Sequence, residues 1–126
     1  MLEGADLVAF VATRDLEVAA AFYGPVLRLR LLEANGFARV YDANGTQLRV
    51  TLVESLAEAP HTVLGWRVAD IAQTTAELRA AGVTFNRYAG VDQDENGVWV
   101  APGGTRVTWF SDPDGNTLSL QQEPGS

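Results

Sequence analysis

The chain is 126 residues long, 47% hydrophobic and 20% charged, a size and composition for which one domain is expected rather than two independent cores. Sixteen acidic residues against nine basic ones give a net charge of −7 with the one histidine neutral, a field that repels a phosphate backbone, so nucleic acid is not an expected partner. Cysteine is absent, which removes disulfides, thiolate metal sites and cysteine nucleophiles.

The longest apolar stretches, such as 7–13, fall far short of the roughly 20 residues that span a bilayer. No leader-like segment opens the chain, so neither a membrane nor secretion is expected and a cytoplasmic location is. Residues 7–12 (LVAFVA) are short, apolar and partly β-branched or aromatic, the signature of a strand. Thr13 or Asp15 then caps a helix by accepting from a free backbone N–H. Leu16, Ala19, Ala20 and Tyr23 follow at helical spacing, and Gly24-Pro25 is read as the stop. Strands are predicted over 27–33 and 37–41 around an Asn35-Gly36 hairpin signal, and Asp42-Ala43-Asn44-Gly45 turns the chain into a strand over 46–53.

Residues 55–60 break the periodicity as a linker, after which the order repeats. A strand over 62–68 leads to an Asp70 cap and an alanine-rich helix over 71–81 closed by Gly82. Strands follow over 84–88, 97–100 and 105–110, and Asp112-Pro113-Asp114-Gly115-Asn116 turns the last of these into a strand over 117–121. Two modules, about 5–54 and about 61–122, are thus expected to cover each other, because neither alone buries enough apolar surface.

Side chains alternate along a strand, so one face packs the helix and the other lines whatever the sheet curves around. Alternation sets Leu7, Ala9 and Val11 toward the first helix and Val8, Phe10 and Ala12 away from it. It sets Leu64, Trp66 and Val68 toward the second and His61, Val63, Gly65 and Arg67 away. Leu48, Val50 and Leu52 oppose Gln47, Arg49 and Thr51, while Leu118 and Leu120 oppose Thr117, Ser119 and Gln121. A polar face on one antiparallel strand usually means solvent; four strands that agree point to a concave site. Arg49 and Arg67 there favour a carboxylate, phosphate or enolate-like ligand through bidentate hydrogen bonds.

Residues 10–23, with Arg14-Asp15-Leu16 and Phe22-Tyr23, together with 65–71 (GWRVADI) and 109–120 (WFSDPDGNTLSL), resemble the vicinal oxygen chelate superfamily. Glyoxalases, extradiol dioxygenases, fosfomycin-resistance enzymes and bleomycin-binding resistance proteins belong to it. The resemblance implies an α+β fold: two βαβββ modules form cup-shaped mixed sheets with helices on the outer face, in one domain over 1–126 that assembles as a homodimer. It also implies a divalent metal held by His, Gln or Glu on the first and last strands of each module. The first-strand position lies seven residues before the helix-opening aspartate, which gives Val8 and Val63, and the last-strand position falls on Ser119 and, in the first module, on Arg49. None of these is a usual metal ligand and an arginine adds a repelling charge, so no metal and no other cofactor is expected. The same resemblance gives Trp99 and Trp109 a role in stacking a planar ligand, with Tyr41 and Tyr88 similarly placed or roofing a sheet edge. Trp66 reads as core.

His61 reads as a rim residue rather than a ligand. The Asp92-Gln93-Asp94-Glu95-Asn96-Gly97 stretch lacks the spacing and terminal bidentate Glu of a calcium loop and reads as a solvated loop. Gly103-Gly104 opens no helix, and no Gly-x-Ser-x-Gly is present, so neither a phosphate cradle nor nucleophilic catalysis has support. Asp15, Asp70 and Asp112 read as helix caps and a turn former. The expected function is metal-independent binding of a planar or anionic organic small molecule by Phe10, Gln47, Arg49, Thr51, Arg67, Trp99, Trp109 and Ser119. The alternative is a lyase, isomerase or dioxygenase-like enzyme of the same superfamily with an atypical or absent metal site, for which no general base is evident at an inward position. A third reading, a structural domain whose cup is filled by side chains, predicts no ligand-dependent stabilisation.

Overall fold

The computed structural model describes residues 1–125, and in it the order strand, helix, three strands occurs twice. The first set is β1 (Val8–Thr13), α1 (Leu16–Ala21), β2 (Arg30–Ala34), β3 (Ala38–Ala43) and β4 (Thr46–Leu52). The second is β5 (Thr62–Arg67), α2 (Ile71–Ala80), β6 (Trp99–Val100), β7 (Arg106–Ser111) and β8 (Thr117–Gln122). Each set builds its own four-stranded mixed sheet, in the orders β1-β4-β3-β2 and β5-β8-β7-β6, with the first strand parallel to the last and the other pairs antiparallel. The chain divides into the units Met1–Ala57 and Glu58–Ser126, the break falling inside the expected linker. This is an α+β fold of two βαβββ modules. No helix among the described residues is long and apolar enough to cross a membrane.

In the first unit Asp15 opens α1 from an extended backbone, its Oδ1 accepting the N–H groups of Glu17 (3.0 Å) and Val18 (3.2 Å). Gly24-Pro25 does not stop the helix where the spacing predicts. The chain widens instead into a π turn over Phe22–Val26 that contains Pro25 and is closed by the Leu27 N–H on the Phe22 carbonyl (3.0 Å). Proline has no N–H for the carbonyl four residues back, so the ladder passes to the next wider ring. Arg28 then leaves in the left-handed region at φ 61°, which delays the strand expected from Leu27 until Arg30.

The two hairpins exchange roles relative to their sequence signals. Asn44 and Gly45 have φ of 51° and 95°, the pair of positive values a two-residue type I′ turn needs, and they join β3 to β4 directly. Asn35-Gly36 makes a longer loop, held by the Asn35 side-chain carbonyl accepting the N–H groups of Phe37 (2.8 Å) and Ala38 (2.9 Å).

The helix side of this sheet buries Val11, Leu48, Val50 and Tyr41 against Ala19 and Tyr23, with the Tyr23 and Tyr41 rings 6.2 Å apart. Tyr41 is therefore core and roofs no sheet edge. Burial pushes its phenol above the ordinary value near 10, and Arg39 nearby pulls weakly the other way. A phenol whose folded value lies above its unfolded one contributes nothing to the pH dependence below about pH 10, and its folded form loses stability as pH rises beyond that. Alkaline titration of thermal stability is expected to fall above about pH 10, less steeply in Tyr41→Phe. An identical slope in the two proteins would rule the assignment out.

In the second unit Asp70 caps α2, its Oδ1 accepting the Gln73 N–H (3.1 Å), and Gly82 leaves the helix at φ 98° as its position predicts. The strand expected over 84–88 is reduced to one bridge, Phe85 to Phe110. Gln93 takes the place of a partner strand: its amide nitrogen donates to the carbonyls of Asn86 (2.9 Å) and Gly97 (2.8 Å), and its oxygen accepts the Tyr88 N–H (2.9 Å). The strand expected over 97–100 shortens to Trp99–Val100 for the same reason, since the Gly97 carbonyl is already taken by Gln93 and by the Thr108 hydroxyl (2.9 Å). The acidic stretch 92–97 is organised by Arg87, which donates to the carbonyls of Asp94 and Glu95.

Candidate functional site

Strand register assigns each candidate residue to a face. Val8 pairs with Gln47, Phe10 with Arg49 and Ala12 with Thr51 across β1 and β4, while Val40 and Ala38 stand opposite Arg49 and Thr51 from β3. Residues paired this way share a face, so Phe10, Gln47, Arg49 and Thr51 lie together on the side of the first sheet away from α1. Arg49 is half-buried between Phe10, which is 61% exposed, and Val40, which is 2% exposed. Its guanidinium forms no ion pair or hydrogen bond among the described residues, in contrast to Arg39, which pairs with Glu17 (2.8 Å), and Arg30, which pairs with Asp42 (3.4 Å).

Thr51 differs from its neighbours. Its hydroxyl oxygen is enclosed and has no hydrogen-bond partner. An enclosed hydroxyl without a partner costs about 1 kcal/mol or more, and an isosteric methyl does not. Thr51→Val is therefore expected to raise the melting temperature by roughly 3–5 °C, as read by differential scanning calorimetry. A lower melting temperature would mean that the hydroxyl has a partner after all.

In the second unit Trp109 pairs with Ser119, Ser111 with Thr117, Trp99 with Val107, Gly65 with Ser119 and Arg67 with Gln121. Arg67, Trp99, Trp109 and Ser119 accordingly share the face of the second sheet away from α2. The two indoles stack on each other, centroids 6.2 Å apart at 28°, and Tyr88 meets Trp109 edge-on at 5.5 Å, so three rings form one row. Part of each indole face is spent on its neighbour. Gly65 is required by close approach: a β-carbon there would stand 2.7 Å from the Ser119 hydroxyl. The bare backbone at 65 lets that hydroxyl lie across β5.

The alternation expected for His61 and Val63 does not survive. The register shifts between Thr62 and Leu64, so Thr62 pairs with Thr117 and Leu64 with Leu118, and the run that joined His61 and Val63 to Gly65 and Arg67 is broken by a bulge. His61 is exposed and precedes the strand. Trp66 does share the helix side with Leu120, but it is half-buried.

Sequence reasoning missed Ser111 and Asn86. Ser111 stands two residues after Trp109, so alternation along β7 puts it on the same face. Asn86, whose amide nitrogen donates to the Tyr88 hydroxyl (3.1 Å) and the Ser111 hydroxyl (3.2 Å), depends on the Gln93 contacts and has no local signal.

At the four positions where the family resemblance places chelate ligands, the donor chemistry does not suit a divalent metal. Val8 and Val63 present hydrocarbon, Arg49 a cation and Ser119 a neutral alcohol. Among the described residues no group of three or more His, Asp and Glu side chains is placed to hold a metal ion.

Two βαβββ modules, each with a helix-covered face and an opposite face carrying polar and aromatic groups, define the class. Residues 5–120 match the glyoxalase/bleomycin resistance protein/dioxygenase superfamily, and the chain belongs to that superfamily. No curated protein sequence matches it significantly. Among solved structures it is similar to a superfamily member from Sphaerobacter thermophilus DSM 20745, with 25% identity, TM-score 0.74 and coverage of 98% of this chain and 100% of that one. It is also similar to a lactoylglutathione lyase from Agrobacterium tumefaciens, with 18% identity, TM-score 0.72 and coverage of 94% and 93%. A genomically encoded fosfomycin resistance protein from Listeria monocytogenes has 16% identity, TM-score 0.75 and coverage of 99% and 97%. The last two likenesses speak to the fold alone.

Proposed function

We propose that this protein binds a planar organic molecule carrying an anionic group, without a divalent metal, and acts by sequestration or carriage. The observation that carries the reading is Arg49, a half-buried guanidinium with no counter-charge among the described residues, set between Phe10 and Val40 in a chain of net charge −7. Leaving a partly desolvated guanidinium unpaired is unfavourable, and a carboxylate or phosphate ligand would satisfy it with two parallel hydrogen bonds. All nine basic residues are arginine, the side chain suited to such a fork. Gln47, on the same sheet face, would orient the ligand, and Phe10 would supply apolar surface beside it. The homodimer belongs to the same reading.

The experiment is a thermal-shift titration with 2-naphthoate and its neutral counterpart 2-naphthamide, combined with native mass spectrometry of protein purified without chelator. The acid is expected to raise the melting temperature by mass action, the amide to do so far less, and the spectrum to show a metal-free dimer. Equal responses to acid and amide would remove the anion from the reading. One bound metal per chain, with turnover that depends on it, would move the reading to the lyase, isomerase or dioxygenase-like alternative.

A further inference from the structure

The second unit holds a recess of about 590 Å³ beside the β7–β8 turn, formed by residues that have no part in the Arg49 face. Its polar groups fall into two sets. The Asn86 amide nitrogen spends both its protons on the Tyr88 and Ser111 hydroxyl oxygens, at 3.1 and 3.2 Å, so each of those hydroxyls is an acceptor to Asn86 and keeps its own proton to donate elsewhere. The Thr117 hydroxyl, opposite Ser111 in register, has no partner among the described residues and adds a third donor. The acceptors are the Asn86 side-chain carbonyl and the Glu58 carboxylate, whose Oε1 reaches over the turn to within 3.5 Å of a β-carbon placed at Gly115. Arg87 also borders the recess, but its guanidinium is bound to the backbone carbonyls of Asp94 and Glu95.

Such a set discriminates between ligand chemistries. An anion meets the Glu58 charge, and a cation leaves three hydroxyl protons unused. A group that donates and accepts at adjacent atoms satisfies both sets, and vicinal hydroxyls do this while their carbon skeleton packs on the Tyr88 ring that borders the recess. We propose that this recess is a binding site for a neutral polyhydroxylated group, such as a sugar or cyclitol moiety. It stands independently of the Arg49 reading.

The test is a titration of full-length protein with myo-inositol, followed by the backbone amide shifts of Ser111, Gly115 and Thr117 and by the Asn86 side-chain amide. Cyclohexanol, inorganic phosphate and tetramethylammonium serve as comparisons. Saturable shifts with myo-inositol, with a dissociation constant on the order of millimolar, and none with the other three are expected. The Tyr88→Phe/Ser111→Ala double variant, checked as folded by circular dichroism, should lose about tenfold in affinity, whereas Arg49→Ala should leave it unchanged. Absence of saturation by myo-inositol, an equal response to cyclohexanol, a response to phosphate or tetramethylammonium, or unchanged affinity in the double variant would each overturn the proposal.

Discussion

Asp112→Ala is expected to lower stability by about 3 kcal/mol and the melting temperature by roughly 10 °C. Asp112 is 5% exposed and accepts hydrogen bonds from the N–H groups of Asp114 (3.0 Å) and Asn116 (2.9 Å) and from the Asn116 side-chain amide (2.8 Å). Asn116 is itself buried, so truncation leaves its two donors without water, while Asp114 regains solvent more readily. The turn they hold also fixes where β8 begins, and with it the pairing of Ser111 with Thr117 and Trp109 with Ser119. Urea denaturation with an unchanged slope would report the loss directly. Asp112→Asn, which keeps one acceptor oxygen, should fall between. A stability change within about 0.5 kcal/mol would mean that the turn is held by its backbone bonds alone.

The second large effect is expected at Arg49. If a carboxylate ligand completes this guanidinium, Arg49→Ala should weaken 2-naphthoate binding on the order of 100-fold. Binding of 2-naphthamide should change little. Arg49→Lys should recover only part of the loss, because an ammonium supplies a point charge without the planar fork. The protein itself should be as stable or slightly more so without the arginine, since no ion pair is lost and a half-buried charge is removed. That opposition separates a binding role from a structural one: a drop in stability with unaltered affinity would assign Arg49 to the fold instead. Both quantities come from one calorimetric titration and one thermal scan of each variant.

The parts of the fold legible in the sequence are those set by short-range rules. Asp15 and Asp70 cap their helices, and Gly82 leaves α2 with a positive φ. Alternation along β1, β4 and β8 correctly divided helix-side from opposite-side residues, because these strands carry no extra residue of their own. Where a bulge intervenes, at Thr62–Leu64, the same rule failed for His61 and Val63. The expected 84–88 strand failed because a side chain, Gln93, captured the backbone groups that a neighbouring strand would have taken. Pro25 was read as a stop because proline lacks a donor, but a π turn needs none at that position.

By itself, the sequence determined the repeated βαβββ order and carried the resemblance to the superfamily, since both depend on residue identity and on spacing along the chain. Only the tertiary structure decided that Arg49 has no partner among the described residues, that the Thr51 hydroxyl is enclosed, that Tyr41 is core and that Asn86 joins Tyr88 to Ser111. The physical reason is that hydrogen-bond satisfaction and burial belong to pairs of groups brought together from distant positions, and no periodicity within a single strand encodes the partner.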